Sequence, residues 1–163
     1  MFTERQEYYS DIFRLNTIYT PQAIINGQKE FLGSNKNKLV SSIEEQLDKK
    51  QTTSIKLKAT QNAAGKIEVN YSIAENNSKG AEFVLIVVQK MATNTIKRGE
   101  NEGRTLHHIN IVREIFYLQG TSKEETKSFD LPAGLNKEDV FVAGLIQDKR
   151  SGKIKAIQSS PIE

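Results

Sequence analysis

The side chains able to do chemistry are few and poorly grouped. His107 and His108 are the only histidines, and they are adjacent. Neighbours in a strand point to opposite faces, so the pair reads as polar strand surface, not as two ligands of one metal. Asn110 would share a face with His108. Just upstream, Gly99-Glu100-Asn101-Glu102-Gly103 carries two carboxylates. It lacks the spacing of a calcium loop and is not a dinucleotide fingerprint, so it reads as a hairpin loop with a salt-linked Arg104. Glu100, Asn101, Arg104, His107 and His108 are the candidates for a functional loop. Ser34, Ser41 and Ser42 have no histidine near in sequence and no nucleophile elbow. Glu44-Glu45 and Glu124-Glu125 read as solvated faces. There is no cysteine, which excludes thiolate chemistry by this chain's own residues. No catalytic, cofactor-binding or metal-binding residue emerges, and no cofactor is expected.

The elements that would position these groups follow from composition and period. The 163 residues are 37% hydrophobic and 26% charged, enough for one ordinary domain or two small ones. No window approaches a membrane span of about 18 apolar residues, and the polar, charged start of the chain does not match a secretory leader. The net charge of +3 lies wholly beyond residue 50 and is interspersed with acids. A nucleic-acid surface needs a concentrated basic stripe, so no nucleic acid is expected as a partner.

The first fifty residues read helix, strand, strand, helix. Thr3 and Gln6 have capping-box spacing, and Tyr8, Ile12 and Leu15 recur at helical period, with Asn16 as the stop. Thr17-Ile18-Tyr19 is β-prone. Ala23-Ile24-Ile25 and Glu30-Phe31-Leu32 flank Asn26-Gly27, a strong hairpin signal. Ser34 is placed to cap a second helix whose apolar stripe is Leu39, Val40, Ile43 and Leu47. From about Thr52 the period becomes two. Strands are expected at 55–59, 67–73, 83–88, through 95–96, at 106–118 with a bulge, at 127–131, 140–146 and 153–157, with turns at 63–65, 76–80 and 148–152. Seven or eight such strands point to an antiparallel β-sandwich of immunoglobulin-like type.

Two stretches carry a resemblance. Tyr19-Thr20-Pro21-Gln22-Ala23-Ile24-Ile25-Asn26-Gly27, followed by Phe31-Leu32-Gly33-Ser34, resembles the distal half of a thioredoxin-like domain. The segment from Arg98 to Arg113 resembles part of a bacterial family of secreted thioredoxin-like proteins of unknown function, which join such a domain to a C-terminal β-domain. The resemblance implies a cis bond at Thr20–Pro21 and places Thr20 and Pro21 beside a peptide-binding site. The family's N-terminal half, with its Cys-x-x-Cys pair and leader, has no counterpart here.

The expected fold is therefore α+β: residues 1–50 as a partial thioredoxin-like α/β segment, residues 51–163 as an antiparallel immunoglobulin-like β-sandwich. A two-stranded hairpin with two helices leaves a sheet edge and an apolar face uncovered, so a homodimer pairing those faces is expected. The expected function is a binding or interaction module for a peptide or protein, without redox activity. The alternative is the distal part of an exported thiol-disulfide oxidoreductase whose cysteine pair lies upstream of Met1. The compartment follows the same fork: periplasmic or secreted if a leader precedes Met1, cytoplasmic if Met1 is the true start.

Overall fold

A computed structural model describes residues 2–50, 53–74, 80–100, 102–118 and 124–163. The chain is α+β, with antiparallel sheets throughout its strand-rich part. Helix α1 (Phe2–Phe13) opens it. Thr3 lies inside this helix instead of capping it. The helix also stops earlier than Asn16: Arg14 takes a left-handed φ of 52°, while Arg14 N–H bonds Asp11 O and Leu15 N–H bonds Ser10 O. That pair of bonds is a Schellman ending, which closes the last free carbonyls. Thr17-Ile18-Tyr19 forms no strand. The Thr20–Pro21 bond is cis.

Strands β1 (Gln22–Ile25) and β2 (Lys29–Leu32) form a separate two-stranded sheet. Asn26 and Gly27 both have positive φ in its turn, as the Asn-Gly pair predicts. Helix α2 (Lys36–Leu47) follows. Its cap is Asn35, one residue beyond the expected Ser34, because the Asn35 Oδ1 accepts from Lys38 N–H at 3.1 Å. The expected apolar stripe of α2 is present, but apart from the half-buried Leu39 it faces outward. Val40, Ile43 and Leu47 are exposed, and only Ser42 of this helix is buried.

The remaining strands are β3 (Ile55–Gln61), β4 (Ile67–Ile73), β5 (Ala81–Thr95), β6 (Thr105–Leu118), β7 (Glu125–Phe129), β8 (Val140–Asp148) and β9 (Ile154–Pro161). One sheet runs β3-β4-β7 and the other β6-β5-β8-β9. The run through Thr95 is not a separate strand; it continues β5. A bulge in the β5–β6 pairing sits between Val87 and Val88. Most of the turn cluster expected at 76–80 lies outside the described residues.

A common core joins the two sheets. β4 alternates strictly, burying Ile67, Val69, Tyr71 and Ile73, and these meet Phe83, Leu85 and Val87 of β5 and Val140, Val142 and Ile146 of β8. Tyr71 stacks on Phe83 at 4.4 Å. Gly144 is required beneath that stack, because a Cβ there would come within 2.6 Å of the Phe83 ring. The end of β9 crosses to β3: Ile162 bridges Ala59, and the Ser160 hydroxyl accepts from Ala59 N–H.

Candidate functional site

The site is assembled where the N-terminal segment meets the β8–β9 hairpin. Two tight turns set that contact. Gly27 in the β1–β2 turn lies so close to the β8–β9 turn that a Cβ would fall 1.8 Å from Gly152 O. Beside it, Ile154 N–H donates to Asn26 O at 3.0 Å. Gln147, 2% exposed, donates through Nε2 to Tyr9 Oη at 2.9 Å and to Gly152 O at 2.7 Å. Its Oε1 accepts from Arg5, whose guanidinium also lies over the Tyr9 ring. A buried amide left without partners would cost about 1–3 kcal/mol, so this network specifies how α1 seats on the strands.

The charges at the seam are settled by local bonds. Asp148 is held down to about 2, chiefly by the Ser151 N–H and hydroxyl, then by the Arg150 N–H and Lys155. Tyr8 is pushed up to about 12 by burial and its acidic and aromatic neighbours; its hydroxyl donates to Asp148 O. On α2, Glu45 is held below the usual carboxylate range by Lys29 and Lys49.

Beyond this seam the surfaces diverge and leave a groove of about 430 Å³. Its walls are Ile24 and Ile25 of β1, Ile43 and Leu47 of α2, and Ile154 and Ile157 of β9. Leu47 is 78% exposed, Ile157 50% and Ile43 41%. The Asn26 amide donates to Gln46 of α2 and closes one corner. Lys49, Lys50, Lys153 and Lys155 stand at the rim, and among the described residues no acidic side chain lines the groove. The volume lies within the usual range for ligand pockets. An apolar floor with a cationic rim can hold a ligand that joins apolar surface to negative charge.

The candidates read from sequence fall elsewhere. Thr20 and Pro21 are exposed and do not line the groove, which begins at Ile24; Pro21 O accepts from Gly33 N–H within the hairpin. Glu100, Arg104, His107 and His108 lie at the far end of the β5–β6 ribbon, all exposed. His107 pairs with Thr93, whose hydroxyl meets its Nδ1 at 3.2 Å, and His108 pairs with Ala92. Asn101 lies outside the described residues. The expected salt link of Arg104 is not seen: among the described residues no carboxylate pairs with it. It sits in an open ribbon where water screens such a pair. Among the described residues, no three His, Asp or Glu side chains converge as a metal site would need, and no helix is long and apolar enough to cross a membrane.

Sequence reasoning missed Lys153, Lys155 and Ile157 as site residues. They read only as a terminal strand. The α2 stripe was visible, but a stripe without a partner and a stripe in a core look alike in sequence.

The profile of a family described as a protein of unknown function (DUF1223) matches residues 1–147. No curated protein and no solved structure matches.

Proposed function

The chain belongs to the DUF1223 family, and we propose that it is a non-enzymatic binding module that holds a peptide or protein segment in the groove between β1, α2 and β9. One observation carries this reading: Ile43, Leu47 and Ile157 converge on one cleft while remaining substantially exposed. Covering the apolar area still exposed stabilises a complex by about 25 cal/mol per Å², so a ligand spanning all three gains more than scattered surface residues would give. The sequence adds that no thiol is present to react. The hairpin between two helices supports a thioredoxin-like origin for the N-terminal segment. Among the described residues, seven antiparallel strands in two sheets support an immunoglobulin-like body.

Selection of displayed random peptides tests it. Peptides enriched on the wild type are expected to lose at least about tenfold in affinity on Leu47→Asp and Ile157→Asp. Both side chains are half exposed or more, so neither change opens a core. Enriched peptides that bind wild type and variants alike would remove the groove from the function.

A further inference from the structure

We propose that the occupant of the groove is an extended segment of a partner protein, alternating acidic and aliphatic residues, which adds as a strand to the free edge of β9. This rests on the groove being the binding site.

The backbone supplies the first argument. β9 is an edge strand, last in the order β6-β5-β8-β9. At one end its outer edge is engaged by Asn26 O on Ile154 N–H. At the other, Ala59 meets Ser160 and Ile162. Between them, among the described residues, residues 155–159 make no backbone bond to any strand except β8. At about 3.3 Å per residue that gap is about 16 Å long, the length of a short added strand. Such an edge is a template for strand addition, with affinity from main-chain bonds and selectivity from pockets that take alternate side chains. The pocket lies alongside it: Ile157 belongs to the open stretch, and Ile43 and Leu47 line the same groove.

Charge supplies the second argument. Lys49 is shared with Glu45, and Lys155 with Asp148. Lys50 and Lys153 have no ion-pair partner among the described residues. Lysines on an edge strand repel most incoming strands. Here the edge runs beside an apolar cleft, so the same lysines admit a strand that carries carboxylates and reject a basic one.

The test uses fluorescein-labelled peptides of about eight residues: one alternating Glu and Ile, one alternating Lys and Ile, and the acidic one with a central proline. Fluorescence polarisation is expected to show the acidic peptide binding at least about tenfold tighter than the basic one. Proline should cost about tenfold or more by removing a ladder bond. The double variant Lys50→Glu, Lys153→Glu should invert the acid–base preference, and Leu47→Asp should abolish binding. Equal binding of acidic and basic peptides, both lost in Leu47→Asp, overturns the acidic partner while leaving the groove a binding site. Proline tolerance overturns strand addition. A wild-type dimer in analytical ultracentrifugation that Leu47→Asp dissolves makes a second copy of this chain the occupant and overturns the proposal in that way. No binding of any peptide at about 1 mM, with a monomer throughout, removes both this proposal and the groove reading.

Discussion

The two-sheet body and the N-terminal segment reach order by opposite means. The body buries its own faces. Phe83, Ile67, Leu85, Val69 and Val142 are fully enclosed by strands of both sheets. In the N-terminal segment only Tyr9 and Phe31 are buried hydrophobics among the described residues. That segment is held by a narrow seam of turns and hydrogen bonds on β8 and β9. Helix α2, at the far side of the seam, turns its apolar stripe to solvent. The difference teaches where to look for function: a body that satisfies itself needs no partner, and a segment that does not is available to bind one.

The widest gap between the regions should appear in paired truncations. Phe83→Ala is expected to cost about 3–5 kcal/mol, because it removes a fully buried ring stacked on Tyr71. Leu47→Ala should change stability by less than about 0.5 kcal/mol, since that side chain is largely exposed. Chemical denaturation measures both, and a similar cost for the two would mean that the regions do not differ in how they hold their apolar side chains.

Next in size is the seam. Gly27→Ala places a methyl group against Gly152 O at a positive φ, and is expected to cost about 2–3 kcal/mol. Hydrogen exchange should show the loss in α1, β1 and α2 while amides of β4 and β5 keep their protection. Uniform loosening of the whole chain would mean the regions fold as one cooperative unit.

The seam should also weaken in acid. Asp148 titrates near 2 in the folded chain, below the value near 3.9 of an unstructured aspartate. Above about pH 4 it is charged in both states and its contribution is complete. As pH falls from about 4 to 2 the unfolded chain takes up the proton first, so stability declines; below about 2 the contribution is gone. Asp148→Asn keeps an acceptor for the Ser151 and Arg150 N–H groups but removes the charge. Its stability should vary less with pH across that window, read from denaturation midpoints. An unchanged slope would show that the charge does not support the turn.

The smallest effect is a gain. Arg14 holds a left-handed conformation that glycine adopts without a Cβ penalty. Arg14→Gly is expected to raise stability by up to about 1 kcal/mol, measured as a higher melting temperature. A lower melting temperature would mean that the arginine side chain outweighs its backbone cost.

Much of the body was legible because its signals are local and repeated. The alternation in Ile67–Ile73 matches β4 residue for residue, and the Asn26-Gly27 turn needed only two residues to declare itself. The caps were less legible: Ser34 and Asn35 are both good capping residues, and the choice between them rests on which side chain reaches Lys38 N–H. The site was the least legible. Leu47 lies more than a hundred residues from Ile157, and Thr20 and Pro21, which a resemblance singled out, lie outside the cleft.

By itself the sequence determined the period of each element, the main hairpin turn, the change from helix to strand between Leu47 and Ile55, and the absence of thiol chemistry. Those are properties of neighbouring residues and of composition. The tertiary structure alone decided that the stripe of α2 faces water, that Gly27 meets Gly152, and that the edge of β9 stays open beside them. Each depends on how surfaces distant in the chain share burial, and no local pattern encodes that.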